Sequence, residues 1–444
     1  MLALFDTYDN ATRELLRSLE TARIAVVPVV IRYEGDLPEG ALCPFTTYTG
    51  LKLDGRPLFF NEVPVPQWCE IRQGQQVYGE ILRHGSLIGR IHYEASSFRQ
   101  VESVDWLLPD HTPGHTDHYD RYGNRYATTH YSGGIAYQTI YRGPGEWSIE
   151  VNHVSRTVTM RSARRLLTFA SLTDLVCHFI DDLRLDDDRV VINSLSYPLF
   201  VTRRRAREPN TTLFWQEPMP GEVPENMDTE LEHPRALERI VFSDERLYRK
   251  VVAGYPDTRL QLGYLSHLAQ FADKQGFEPK RVFTLTSSDD VLGLEQLLGA
   301  FPDVTFSVAA LTLMSDKLEA LGRRYPNLTL TPSINHSGIR AELDKASVYL
   351  DTNAGGQVLD VVKAAFYLNL VVLAVASRAK APDHERTFPT IDDLAGYLAT
   401  VVESEAGRSE ALEELHVQRG PQSSIADYER VLQPAVTERT APVS

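Results

Sequence analysis

The chain is poor in cysteine, in positive charge and in long apolar runs, and each shortage narrows its function. It holds only three cysteines, Cys43, Cys69 and Cys177, among 444 residues. They stand far apart, with neither metal-site spacing nor a disulfide framework, and fit reduced thiols in the cytoplasmic compartment. Lys and Arg number 45 against 60 Asp and Glu, a net charge of −15. That field repels nucleic acid and anionic lipid, so nonspecific phosphate binding is excluded. Apolar stretches such as Leu370 to Ala376 are too short to span a bilayer. The opening MLALFDTYDN has acids where a signal peptide would carry its apolar core. The expectation is a soluble chain. No Ser-His-Asp, Cys-His or metal-hydrolase constellation emerges from spacing.

What is present is ample core material, 43% hydrophobic residues, enough for two or three domains. Residues 1–36 read as an amphipathic helix, Ala11 to Arg23, followed by an apolar strand, Ile24 to Ile31. Pro28 inside that strand suits an edge or a bulge. From residue 37 the texture becomes short alternating runs with Gly, Pro and aromatics (RPLFFNEVPVPQW, RIHYEASS, IAYQTIYR, WSIEVNHV, TVTMRS), which predicts an antiparallel meander. After Arg161, apolar strands alternate with helical segments: LLTFAS, VVINSL, TTLFWQE, RIVFSD, RLQLGYL, RVFTLTSS, TFSVAAL, LTLTPS, SVYLDT, LVVLAV. That rhythm predicts parallel sheets with right-handed crossovers. The stretch Ser266 to Arg281 reads as the link between two lobes, and the tail after Pro421 as mobile.

Residues 351–375, DTNAGGQVLDVVKAAFYLNLVVLAV, read as a strand end, a glycine turn, a helix and a second buried strand. The segment resembles the nucleotide-sugar end of a retaining glycosyltransferase of the two-Rossmann (GT-B) type. In active members two glutamates flank the glycine turn; one positions the sugar and the other accepts from the ribose. Laying the final strand on Leu370 to Leu373 puts those acids at Gly356 and Ala364, and neither side chain holds a proton or a charge. An active donor site also needs cations for a diphosphate after the first strand of the second lobe. Aligning on LLGAF puts Ser287 in place of the Arg and Leu292 in place of the Lys. Asp289 and Asp290 beside a diphosphate would oppose binding. As plain structure, 287–290 reads as a helix N-cap.

The segments LFDTYDNATRELLRSL, GRPLFFNEVPVPQWCEI, DHYDRYGNRYA, LFWQEPMPGEVPENM and AALTLMSDKLEALG, with YLDTNAGG, together resemble the GtfB-type subunit of bacterial adhesin glycosylation. The similarity runs in order from Leu4 to about Leu398. It implies an α/β, GT-B-like fold of two Rossmann-type lobes with an antiparallel β-sheet domain inserted in the first. The boundaries expected are 1–36 and 160–235 for the first lobe, 37–159 for the insert, 236–410 for the second lobe, and 411–444 for a C-terminal helix and tail. It further implies a non-catalytic subunit that binds a serine-rich repeat adhesin and stabilises a GtfA-type catalytic subunit, as two copies of each. That partner would take UDP-N-acetylglucosamine, leaving this chain no cofactor. The accessory Sec machinery would be a further partner, and the cytoplasmic face of the membrane the setting. The alternatives are an active retaining glycosyltransferase with its acids elsewhere, or a free-standing peptide- or carbohydrate-binding module.

Candidate acceptor-binding residues follow from strand ends, where open α/β sheets place ligands. Asp351 and Asn353 end one strand, and either touch a partner or only cap the turn. Gly355 and Gly356 precede a helix, whose N-terminus binds anions, although tight turning explains the pair as well. Trp215 and Gln216 end LFWQEP, and Asn193 opens NSLSYP; the tryptophan is core or groove wall, and the amides suit a peptide backbone. His111, His115 and His118 with Asp117 and Asp120 lie in a Pro/Gly turn whose spacing matches no standard metal site. A structural hairpin or partner contact is the preferred reading there.

Overall fold

The computed structural model describes residues 1–74, 78–94, 99–185, 188–268, 271, 276–382, 384–418 and 422–432. The chain forms two compact units, Met1–Leu268 with the segment from Gln422 onward, and Ala269–Pro421. Among the described residues no helix is long and apolar enough to cross a membrane.

The first unit opens on a strand that sequence reading did not anticipate, β1 (Leu2–Phe5), buried at all four positions. A strand covered on both faces shows no alternation, and four residues are too few for a run to stand out. Asp9 then caps the helix Asn10–Thr21, accepting from Thr12 N at 2.8 Å. β2 is Val27–Val30, shorter than the expected Ile24 to Ile31, and it forms the sheet edge. Val27 N donates to Met1 O and Ile31 N to Phe5 O, on the β1 side, whereas Val30 N points outward to Leu42 O. Pro28 shares the outward set, so its missing N–H costs no bond to β1.

The meander consists of β3 (Cys69–Gln73), β4 (Tyr78–Arg83), β5 (Ser86–Tyr93), β6 (Val101–Leu107), β7 (Pro113–Tyr119), β8 (Arg125–Ser132), β9 (Ile135–Tyr141), β10 (Ser148–Asn152), β11 (Val158–Arg161) and β12 (Leu166–Phe169). They pair in strict chain order into one ten-stranded sheet. Three expectations are corrected here. RPLFFNEVPVPQW makes no strand; it holds one short turn of helix, Phe60–Glu62, and lays Leu58, Phe60, Val63 and Val65 against the sheet. LLTFAS is the last meander strand, antiparallel to β11, so the insert runs beyond residue 159. The histidine segment is a strand, β7, and not a turn; only His111 sits in a loop, with φ +63°.

The sheet is covered on opposite faces at its two ends. Directly paired residues run Ile91, Val104, Asp117, Thr128, Ile140, Glu150 across one face. Ile91 and Val104 belong to the core formed with Val63. On the other face Ile149, Val158 and Met160 pack with Tyr33, Phe45 and Leu175. Each cover therefore leaves part of the face opposite to it open.

The chain then returns to the first sheet through β13 (Val190–Ile192), β14 (Thr211–Trp215), β15 (Leu237–Phe242) and β16 (Gln261–Tyr264). The parallel order is β16-β15-β14-β13-β1-β2. The expected lobe boundary at residue 235 is therefore too early, since β15 and β16 complete this sheet. The helix Ile425–Leu432 also packs here: Tyr428 is fully buried, its hydroxyl donating to Ser266 O at 3.0 Å. Residues 433–444 of the expected tail lie outside the described residues.

The second unit holds β17 (Arg281–Thr286), β18 (Thr305–Ala310), β19 (Leu328–Thr331), β20 (Val348–Asp351), β21 (Val371–Val375) and β22 (Arg386–Phe388), all parallel in the order β19-β18-β17-β20-β21-β22. Apolar clusters cover both faces. The strand order reverses between β17 and β20, so the crevice at their carboxyl ends is where such a sheet places a ligand.

One buried ion pair ties the first unit's far layer. Glu230, fully buried, accepts from Arg203 Nε at 2.7 Å and from the backbone N–H groups of Arg235, Ala236 and Leu237 at 3.0 to 3.2 Å. Burial pushes this carboxyl up, but those four donors hold it below the usual carboxylate range. Glu230→Ala removes the only carboxylate paired with Arg203 among the described residues, leaving the guanidinium its bonds to Asn226, and strands three N–H groups. It should cost about 3–5 kcal/mol in urea denaturation; a loss under about 1 kcal/mol would show that the pair is not structural.

Candidate functional site

At the β17/β20 crevice two loops close on each other. Leu292 N donates to Thr352 O at 2.9 Å, Ala354 N donates to Asp290 O at 2.8 Å, and Val291 bridges Asn353. Ser287 Oγ donates to Gly356 O at 3.3 Å. Ser287 stands where the sequence comparison expects a phosphate-binding Arg, and Gly356 where it expects an acid. These two positions are hydrogen-bonded to each other at the surface, and a Cβ at Gly356 would meet no atom within 4 Å.

The glycine pair has a different role from the one anticipated. The next helix, Val361–Tyr367, starts after Asp360 and is a single short element, so Gly355 and Gly356 do not form a helix N-terminus. Gly355 is needed for close approach, since a Cβ there would lie 2.0 Å from Ser287 Oγ. Ala364 sits within that helix, partly buried against the cluster around Phe366.

Charge in the crevice is also spent internally. Asp351 is wholly buried and Asn353 nearly so, which removes both from any surface that a polypeptide could touch. Lys380 Nζ donates to Asp351 Oδ1, to Asn353 O at 3.1 Å and to Arg378 O at 3.1 Å. Arg378 pairs with Asp290 at 2.9 Å. Glu385, fully buried, accepts from the backbone N–H groups of Lys380 and Ala381. Burial above all, and then the charge of Asp351, push the Glu385 carboxyl up to about 7. Lys380 and Glu385 escaped sequence reading; the only hint was the charged run Lys380 to Arg386 directly after a buried strand.

Of the first-unit candidates, Asn193 and Gln216 are brought together, 3.5 Å apart, just past β13 and β14. Their amides are engaged locally. Asn193 Nδ2 donates to Thr12 Oγ1 at 3.0 Å; Gln216 Nε2 donates to Ala11 O at 2.9 Å and lies 3.2 Å from His267 Nε2. They pin the start of the helix Asn10–Thr21. Trp215 is 4% exposed and packs in the main apolar core, so it is core and not a groove wall.

The histidine segment divides between the two faces of the sheet. His115 pairs opposite His130 beside Trp106, with ring centroids 5.9 and 6.1 Å away. His118, on the reverse face, bonds Thr129 Oγ1 at 2.9 Å. Asp117 accepts from Trp106 Nε1, Arg125 and Thr128 at 3.0, 3.2 and 2.7 Å, and Asp120 caps its own turn by accepting from Tyr122 N and Asn124 N.

These features define a GT-B-like chain with a large antiparallel insert and, at its strand-end crevice, two loops hydrogen-bonded to each other. Family models match in sequence along the chain: the GtfB N-terminal domain at 2–48, the GtfB middle domain at 69–170, the GtfB third domain at 172–253, and the GftB/GlyA-F C-terminal domain at 282–414. The UDP-N-acetylglucosamine–peptide N-acetylglucosaminyltransferase stabilizing protein GtfB of Streptococcus pneumoniae serotype 4 is 30% identical, covering 96% of both chains. That of Streptococcus gordonii is 34% identical over 84% of each. A chain in the crystal structure of a GtfA/B complex bound to UDP and GlcNAc matches with TM-score 0.88 and 31% identity, covering 98% of this chain and 99% of that one. TarM shares the fold at TM-score 0.51 and 11% identity, over 97% of each chain. The chain belongs to the GtfB family of glycosyltransferase stabilizing proteins.

The Glu385 shift has a sign. A carboxyl near 4.5 in the unfolded chain and raised in the fold binds its proton more tightly when folded, so stability falls as pH rises from about 4.5 through 7. Glu385→Gln mimics the protonated form. It should stabilise the protein by on the order of 2 kcal/mol at pH 8, with no gain near pH 4.5. Equal melting temperatures of variant and parent at pH 8 would refute the buried carboxyl pairing.

Proposed function

We propose that this chain is the non-catalytic subunit of a peptide O-N-acetylglucosaminyltransferase. It stabilises and co-activates a GtfA-type catalytic subunit and holds a serine-rich acceptor, while UDP-N-acetylglucosamine binds the partner. The observation that carries this reading is the pairing of uncharged Ser287 with Gly356, where a donor site needs a cation and an acid. A chain without those groups keeps the frame of an enzyme and works through binding. Assembly as two copies of each subunit, an adhesin acceptor, accessory Sec export and a place on the cytoplasmic face of the membrane belong to the same reading and rest on the family resemblance.

The test is a sugar-transfer assay on a serine-rich peptide with this chain, the partner, and both. Transfer is expected from the pair and none from this chain alone. Calorimetry should detect no UDP-N-acetylglucosamine binding, and Gly356→Glu with Ala364→Glu should restore none, because Ser287 and Leu292 leave a diphosphate without cations. Micromolar donor affinity in the isolated chain would overturn the proposal and favour an active glycosyltransferase.

Docking of the partner falls best on the meander. Trp106, His115, His130 and Tyr137 form a ring stripe across β6 to β9, with successive centroids 6.1, 5.9 and 6.3 Å apart. Exposed Leu108 and Ile135 extend it, Ile135 at 72% exposure. Exposed aromatic and apolar groups of this kind anchor interfaces. Ile135→Asp with Tyr137→Asp should cut co-purification of the catalytic subunit at least tenfold at unchanged melting temperature. Undiminished capture by a folded double variant moves the interface elsewhere.

A further inference from the structure

At the carboxyl end of β20, Asp351 and Glu385 are both wholly buried. Lys380, on the turn after β21, donates to Asp351 Oδ1. With that pair formed, an ionised Glu385 puts a second negative charge in a dry site beside the first, whereas a protonated one leaves the site neutral. Burial above all favours the proton on Glu385. Asp351 favours it too, through its charge and through a hydrogen bond between the two carboxyls. That bond exists only while one of them carries a proton.

The other titratable groups around the pair do not supply the balancing charge. Tyr349, on β20, is kept protonated by burial and then by the charge of Asp351. His384 turns its ring onto Phe366 and Tyr367 of the helix Val361–Tyr367, with centroids 5.1 and 5.9 Å away. Arg378 is paired with Asp290 at 2.9 Å.

The turn that carries Lys380 works as a strap. Ala376 N donates to Phe388 O at 2.8 Å, and Arg378 N and Ala379 N return to Val375 O at 2.7 and 3.0 Å. From there its side chains reach both crevice loops. Arg378 bonds Asp290 after β17, and Lys380 Nζ bonds Asn353 O after β20 at 3.1 Å. The N–H groups of Lys380 and Ala381 both end on Glu385 Oε1. The carboxyl whose charge can change therefore holds the strap, and the strap holds the two loops.

We propose that the strap 376–381 is a proton-operated latch: while Asp351 and Glu385 share a proton it stays closed, and loss of that proton releases it together with the loops 287–292 and 352–356. The latch belongs to the second unit and needs no partner subunit. Its sense follows from linkage. The closed form binds the proton more tightly than an opened form whose Glu385 stands in water. The open fraction therefore rises with pH and levels off above about 7, the value to which burial pushes the Glu385 carboxyl. Between pH 6 and pH 8 the rise is about tenfold.

Trypsin reports the opening, because Arg378 and Lys380 are its targets and their side chains are only 28% and 12% exposed in the closed form. The full chain is digested from pH 6 to pH 8, and cleavage after these two residues is measured by mass spectrometry against the denatured chain digested in parallel. A rise of about tenfold is expected in the parent, and a low, flat rate in Glu385→Gln, which has no proton to lose. Hydrogen exchange, corrected for its intrinsic pH dependence, locates the event in the parent alone. The Leu292 and Ala354 N–H groups should lose protection over the same range while those of β21 keep it. Cleavage independent of pH in the parent, or an equal rise in a folded Glu385→Gln, would overturn the latch. So would β21 exchanging in step with the loops, because the opening would then be global.

Discussion

The second unit turns on one electrostatic problem: two carboxyls, Asp351 and Glu385, are sealed from water with a single ammonium, Lys380. The ammonium bonds Asp351, and the Glu385 carboxyl is met by backbone N–H groups. Removing Lys380 would leave two carboxyls in a dry site without a cation, a far larger penalty than any exposed pair carries. The arrangement fixes the segment after β21 across the end of β20.

That use of charge fits the neighbouring backbone. An open crevice in a doubly wound sheet exposes strand-end N–H and C=O groups that a ligand satisfies. Here the loops after β17 and β20 satisfy each other through the Leu292–Thr352 and Ala354–Asp290 bonds. The lack of a side chain at Gly355 is what lets Ser287 approach.

Much of the architecture was legible in the sequence because its signals are periodic. The meander announced itself through alternation, and the second lobe through apolar strands set between helices. What escaped was what periodicity cannot carry. β1 is four buried residues without alternation, and RPLFFNEVPVPQW has the composition of a strand but lies as a cover on the sheet. The lobe boundary slipped because β15 and β16 look like any other buried strands; only pairing tells which sheet they join. At the site, Gly356, Ala364 and Ser287 could be read as missing groups. Lys380 and Glu385 could not, since their role arises from burial beside Asp351, which no spacing rule encodes. Trp215 and Asp351 stayed open between contact and plain structure for a similar reason, because a strand end in the sequence does not reveal whether its side chain is capped by the next element.

The meander solves a different constraint. A ten-stranded sheet has two large faces, and one chain of this length covers only part of each. Covering opposite faces at the two ends leaves a ring-rich stripe on one side and a hydroxyl-lined trough on the other, in register across the same strands. Because side chains alternate, each residue pair such as His115 and Thr116 contributes one group to each surface. Substitutions on the two surfaces are therefore separable at neighbouring positions. A single sheet thus presents two chemically distinct surfaces at neighbouring positions.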